Sequence, residues 1–300
     1  MATISPLISV IIPCYNHGAY LAKALASIWL QDYPAFEVVL VDDGSTDMTK
    51  TVAQDHPWIK YVYQKNQGLP TARNTGVKHS CGQYLVFLDA DDWLLPDALK
   101  TNAQVLQSNP NMAFVSGGHH KVFVAEGRIE ECTQEVTRNH YENLLYGNYI
   151  GMPAVVMFHR WVFNYFTYDA TLKAAEDYDL YLRVARLHSV AHHTHLVAAY
   201  RIHGSNMSSN IPLMLKTTLG VLTRQRKYLR NDLERLTYRK GMKNWKDYYF
   251  NALLQKVSHS PRKVTFVEIS TLVFYIPKLV TLRFFSSQIG LLKTLFKNWF

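Results

Sequence analysis

Apolar and polar positions alternate between two periods over the first third of the chain. Leu7 to Ile12 is an apolar, largely β-branched run that ends at Pro13 and predicts a strand. Within Ala19 to Leu30, the residues Leu21, Ala22, Leu25, Ile28 and Trp29 fall at helical spacing. Phe36 to Val41 reads as a second strand, and Asp42-Asp43-Gly44-Ser45-Thr46-Asp47 follows as a turn and helix cap. Tyr61-Val62-Tyr63 predicts a short third strand, Leu69 to His79 a helix, and Tyr84 to Leu88 a fourth strand. Such alternation implies an α/β fold with right-handed crossovers and a mostly parallel sheet flanked by helices. Three strand ends then deliver polar groups to one edge: Tyr15 and Asn16, Asp42 and Asp43, Asp89 and Asp91. Open sheets of this kind bind ligands at the carboxyl ends of their strands.

Asp89-Ala90-Asp91-Asp92 directly follows the fourth strand. Carboxylates crowded there suit a hard divalent cation, Mg2+ or Mn2+, with part of its shell left for water and a phosphate-bearing substrate. Taken alone, the same residues also fit a solvated acidic turn before the helix that Pro96-Asp97 starts. No G-x-G-x-x-G follows the first strand and no G-x-x-x-x-G-K-[ST] occurs, so neither a dinucleotide fold nor a P-loop is supported.

Composition narrows the class. The 300 residues, 48% hydrophobic and 18% charged, are those of a folded globular protein, and the net charge of +9 points to an anionic partner. Cys14, Cys81 and Cys132 are odd in number and in no C-x-x-C pattern, which argues for reduced thiols rather than disulfides or zinc. Met1 to Pro6 carry no secretory pattern, so a cytoplasmic location is expected.

Pro13-Cys14-Tyr15-Asn16, Val41-Asp42-Asp43-Gly44-Ser45-Thr46-Asp47, Asn66-Gln67-Gly68 with Ala72-Arg73-Asn74-Thr75-Gly76, and Leu88-Asp89-Ala90-Asp91-Asp92 occur in this order. Together they closely resemble the family 2 glycosyltransferases of GT-A fold, from about Ser9 to about Ser208. The resemblance implies a Rossmann-type mixed sheet and a nucleotide-diphosphate sugar donor, with UDP or dTDP favoured. It also implies that Pro13, Tyr15 and Asp43 line the base pocket, Tyr15 by stacking and Asp43 by accepting from the ring, with Asp42 turned away or fixing the loop, and that Asn16 belongs to the nucleotide-sugar site. Arg73 would lie on the nucleotide or diphosphate, Asp89 would reach the ribose, and Asp91 would hold the metal with Asp92 in support. A core tyrosine and an exposed helix arginine are the plainer readings of Tyr15 and Arg73.

A second motif, Ala175-Glu176-Asp177-Tyr178-Asp179-Leu180-Tyr181-Leu182-Arg183, opens a helix with Leu180, Val184 and Leu187 on one face. Helix-dipole stabilisation alone would account for its acidic first turn. By the resemblance, Asp177 is the general base. Tyr200-Arg201-Ile202-His203 is similar to the segment that closes many family 2 sites, which would bring His203 to the metal. A site with mixed nitrogen and oxygen ligands favours Mn2+. His192, His193 and His195 alternate on a strand and cannot share one ion, and His119-His120 reads as surface.

By the resemblance, the segment from about Lys121 to Phe166 would recognise the acceptor, with Gly151-Met152-Pro153-Ala154 beneath it. Tyr141, Tyr146, Tyr149 and Trp161 are either sugar-stacking or core residues.

Basic residues crowd between Lys216 and Lys263, opposed only by Asp232, Glu234 and Asp247. Val264 to Ile276 is apolar but short for a membrane span and carries Glu268. Arg283 to Phe300 mixes basic and aromatic residues as interfacial amphipathic helices do, although packing on the catalytic core would serve as well. The expected organisation is a GT-A domain over 1–210, with its nucleotide-sugar part over 1–118 and its acceptor and catalytic part over 119–210. A helical, basic and apolar appendage over 211–300 would follow. The activity expected is inverting transfer to a glycan or lipid-linked acceptor in cell-surface polysaccharide biosynthesis, at the inner face of the membrane and without nucleic acid. Lack of a Q-x-x-R-W motif argues against a processive synthase. A nucleotidyltransferase and a silent membrane-docked glycan-binding module are the alternatives.

Overall fold

The computed structural model describes residues 5–204 and 206–259, together with Thr265, Val267, Glu268 and Ser270. The chain divides into two compact units, Met1–Ser205 and Asn206–Phe300.

In the first unit, β1 (Ile8–Cys14), β2 (Phe36–Asp42), β3 (Lys60–Tyr63) and β4 (Tyr84–Phe87) form the parallel half of the sheet, in the order β3-β2-β1-β4. Helices α1 (Gly18–Trp29), α2 (Thr49–Gln54) and α3 (Leu69–His79) connect them. After β5 (Trp93–Leu94) and α4 (Ala98–Ser108) the pattern turns mixed. β6 (Phe114–Phe123) carries β7 (Arg128–Cys132) as an antiparallel partner. β8 (Val156–His159) inserts antiparallel between β4 and β6, and β9 (Val190–Ile202) pairs parallel with β6 and antiparallel with β5. Helices α5 (His140–Tyr146) and α6 (Glu176–Ala185) complete the unit.

β1 is buried along its whole length because helices cover both faces of a central parallel strand. α3 lies close on it: a Cβ on Gly76 would stand 2.2 Å from Ile11 Cγ2, so only glycine admits this approach. The buried stripe of α1 is Leu21, Ala24, Leu25 and Ile28. Ala22 and Trp29, placed on that stripe by spacing, are exposed instead, and Trp29 meets Trp58 at 5.1 Å. Leu187 lies beyond the end of α6 and is exposed, so the apolar face of that helix ends at Val184. His119 is not a surface residue. It is buried on β6 against Gly151, and burial first, with neighbouring Lys121, pushes its pKa down to about 4. Tyr141 and Tyr149 are core residues, whereas Tyr146 is half-exposed.

In the second unit, α7 (Ile211–Gln225) starts at Asn210, whose side chain accepts from the Leu213 N–H. Its Ile211, Leu215 and Leu219 pack with Tyr249, Phe250 and Leu253 of α8 (Asp232–His259). Among the described residues no helix is long and apolar enough to cross a membrane. The amphipathic segment from Arg283 to Phe300 lies outside the described residues.

Candidate active site

The carboxyl ends of β1, β2 and β4 meet at one edge. Tyr15, following β1, is 50% exposed, which leaves its ring face open and removes the core-tyrosine reading. Pro13 is buried within β1 opposite Val41, so it shapes the pocket floor rather than its mouth. Asn16 takes a left-handed backbone (φ 55°). Its Oδ1 accepts from Thr46 N–H at 2.8 Å and its N–H donates to Ser45 Oγ, which ties the loop after β1 to the loop after β2.

Asp42 and Asp43 are both buried, and both order loops. Asp42 accepts from Ser45 N–H and from Tyr61 Oη–H. Asp43 Oδ1 accepts from Gln64 Nε2 and Gln67 N–H, and its Oδ2 from Gly68 N–H. Asp42 thus fixes the loop, as expected of it, and Asp43 carries a structural duty of its own. Asp43 Oδ2 holds a single protein donor among the described contacts, and a carboxylate oxygen can accept another.

The loop after β4 gathers most of the charge. Asp91 Oδ2 stands 3.0 Å from His203 Nε2, and Asp91 Oδ1 is 4.0 Å from His17 Nδ1. Tyr20 of α1 stacks on the His203 ring. Asp92 is fully buried and accepts from Arg201 N–H at 2.8 Å, while Arg201 Nε donates to the Asp91 carbonyl. The last residues of β9 are thus pinned to the acidic loop, and that pinning delivers His203. His17 and Tyr20 were missed by sequence reasoning. The signal was their i, i+3 spacing at the start of α1, just past Tyr15 and Asn16.

Among the described residues no group of three or more His, Cys, Asp or Glu side chains is poised for one ion. The pair Asp91 and His203 nevertheless fits a divalent metal. Ligands bound side by side at about 2.1 Å sit about 3 Å apart, which is the spacing of these two donor atoms. A small protein share of the shell, the remainder going to water and phosphate, is what Mg2+ and Mn2+ accept.

Arg73 departs from expectation. It is 1% exposed, and its guanidinium donates to Glu176 Oε1 and, at 2.7 Å, to Asp89 Oδ1, with the Tyr168 ring 5.3 Å from its centre. Both terminal nitrogens are held by protein carboxylates, because a buried guanidinium without counter-charges would be costly. The reading of Arg73 as an exposed helix arginine does not hold. Glu176 and Asp177 open α6 after Ala175, which sits in a left-handed conformation at φ 57°. Asp177 is half-buried. Loss of water around the carboxyl first, and then the Glu176 carboxylate, push its pKa up to about 7 against the pull of Arg73. Asp179 is buried and bonded to Arg183 at 2.7 Å.

Comparison with known proteins gives both family and fold. The chain is 31% identical over 202 residues to an uncharacterized glycosyltransferase of Rickettsia conorii, covering 66% of this chain and 33% of that one. It is 29% identical over 216 residues to the chondroitin synthase of Escherichia coli, covering 68% and 30%. The chain therefore spans about a third of these two relatives, and 67% of one from Rickettsia prowazekii. Among solved structures, residues 1–349 of Staphylococcus aureus TarS match with a TM-score of 0.65 at 19% identity, covering 90% of this chain and 78% of that one. The mannosyltransferase PcManGT from Pyrobaculum calidifontis, in complex with GDP-Man and Mn2+, matches with a TM-score of 0.62 at 17% identity, covering 99% and 87%. The sheet is thus of the GT-A type. Residues 9–164 match the glycosyl transferase family 2 domain, and the chain belongs to that family.

Proposed function

We propose that this protein is an inverting, metal-dependent glycosyltransferase that moves a sugar from a nucleotide-diphosphate donor, UDP- or dTDP-linked, to a glycan or lipid-linked acceptor of the cell surface. One observation carries the reading. The acidic loop that bears Asp91 and the helix turn that bears Asp177 are far apart in sequence yet joined in one site through Asp89, Arg73 and Glu176. A donor held on the first would present its anomeric carbon to a base on the second.

Each residue has a distinct task. Tyr15 offers an exposed ring for stacking on the base, and Asp43 a spare acceptor for an imide N–H. Asp89, with 27% of its side chain exposed, is free to accept from the ribose. Asp91 and His203 would hold the divalent ion, which when bound neutralises the departing diphosphate. Asp177 takes the proton of the acceptor hydroxyl as that oxygen attacks from the face opposite the nucleotide, so the anomeric centre inverts. A carboxyl titrating near 7 is well matched to this task at neutral pH.

We assign catalysis to residues 1–210 and membrane docking to residues 211–300. That TarS has been solved with UDP-GlcNAc, and with UDP, supports a uridine donor. The test is a thermal-shift screen of nucleoside diphosphates and their sugars with Mn2+. UDP or dTDP should raise the melting temperature most. Stabilisation by GDP alone would overturn the donor assignment, and none by any nucleotide would overturn the reading.

A further inference from the structure

Neither donor binding nor proton transfer calls for a fully buried arginine, and the surroundings of Arg73 suggest another task. Three elements meet at it: α3 carries the guanidinium, the loop after β4 supplies Asp89, and the first turn of α6 supplies Glu176. Asp89 is partly exposed while Glu176 is buried, so the network runs from the donor loop into the interior. Ala175, just before Glu176, holds a backbone conformation that a non-glycine residue keeps only where its surroundings impose it. Arg73 Nε and the hydroxyls of Tyr168 and Tyr181 are buried without a hydrogen-bond partner among the described residues. Orphaned polar atoms are rare in a core, and here they gather around one charge cluster.

We propose that Arg73 and Glu176 are positioning residues of the transfer reaction: the buried guanidinium fastens the first turn of α6, and with it Asp177, to Asp89 on the donor loop. This rests on Asp177 being the base. Substrate alignment explains why two buried charges are kept at a cost, since a shift of about 1 Å between reacting groups can slow a reaction by about 10^2. The charged and titratable groups around Asp177 are Glu176, Arg73, Asp89, Tyr168 and Tyr181. After burial, Glu176 is the strongest influence raising the proton affinity of Asp177, and Arg73 opposes it.

The test is steady-state release of nucleoside diphosphate by the full-length protein against pH. It compares wild type with Glu176→Gln, Arg73→Lys and Asp177→Asn, alongside donor affinity and melting temperature. Glu176→Gln keeps an oxygen for Arg73 but loses the charge. It should bind donor within about threefold of wild type, lose about tenfold or more in kcat, and move the acid limb of kcat/KM to lower pH. Arg73→Lys keeps the charge but cannot span both carboxylates, and its kcat should fall with donor affinity retained. It carries the test if Glu176→Gln fails to fold. Wild-type kcat and acid limb in a folded Glu176→Gln, with Asp177→Asn inactive, would overturn the positioning role. Lost donor affinity with unchanged kcat in Arg73→Lys would return Arg73 to the diphosphate and overturn it as well. Normal turnover by Asp177→Asn would instead overturn the base assignment, and the inference with it.

Discussion

Tyr20 lies against His203 with ring centroids 5.1 Å apart and planes inclined by 24°, so the imidazole that faces Asp91 is held from behind by an aromatic ring. The stack fixes the ring plane and leaves Nε2 directed at the carboxylate. Such a pair contributes ~1 kcal/mol beyond its buried area. Tyr20→Ala should therefore weaken Mn2+-dependent UDP binding about fivefold, whereas Tyr20→Phe keeps the face and should leave it near wild type. Isothermal titration of UDP with and without Mn2+ measures both. Equal losses in the two variants would assign the effect to the hydroxyl and not to the stack.

Asp177 separates binding from chemistry. Asp177→Asn should keep donor affinity and lower turnover by ~10^2 to 10^4. Glu176 and Asp179 are poorly placed to substitute, each being buried and bonded to an arginine. Because the wild-type base is active only when ionised, kcat/KM should fall as pH drops below about 7. Stability runs the other way. A carboxyl whose folded pKa is raised contributes stability below its unfolded value, near 4, and loses it as pH rises through about 7. The asparagine variant should then melt higher than wild type at pH 8 and no higher at pH 4. A melting temperature below wild type at pH 8 would contradict the raised pKa.

Gly76→Ala should lower stability by about 1–3 kcal/mol, because the added methyl overlaps Ile11 and α3 must lift from β1. Denaturant unfolding monitored by circular dichroism reads this directly. An unchanged midpoint would mean that helix and strand are not so closely packed.

Membrane docking is assigned to the C-terminal region on its basic and apolar pattern. Each basic residue near an anionic surface contributes ~1 kcal/mol and is screened by salt, whereas buried aromatic and leucine side chains are not. Full-length protein should sediment with anionic liposomes and be only partly released by salt. Deletion of residues 263–300 should abolish binding. Indifference to liposomes, or unfolding of the catalytic unit on deletion, would make the region a packed appendage.

The parallel half of the fold was legible because its signals are local. The helix from Leu69 to His79 was read with the bounds it has, and β1, β2, β3 and β4 to within two residues at each end. What escaped depends on distant pairing. β8 inserts between β4 and β6, and β9 runs beside β6 through a register shift. Nothing in either run of residues announces its partner, and so the burial of His119 was missed. At the candidate site the sequence names motif residues but not the partners that hold them. That Glu176 and Asp89 enclose Arg73 depends on three elements distant in the chain, and the sequence cannot reveal it.

The central claim is that a nucleotide diphosphate binds through a divalent ion on Asp91. The most direct measurement is calorimetric titration of UDP into wild type and Asp91→Ala, each with and without Mn2+, after melting curves establish that both are folded. Wild type should bind UDP far more tightly with Mn2+ than without, and Asp91→Ala should lose that metal-dependent gain. Binding by Asp91→Ala with wild-type affinity and wild-type dependence on Mn2+ would contradict the account.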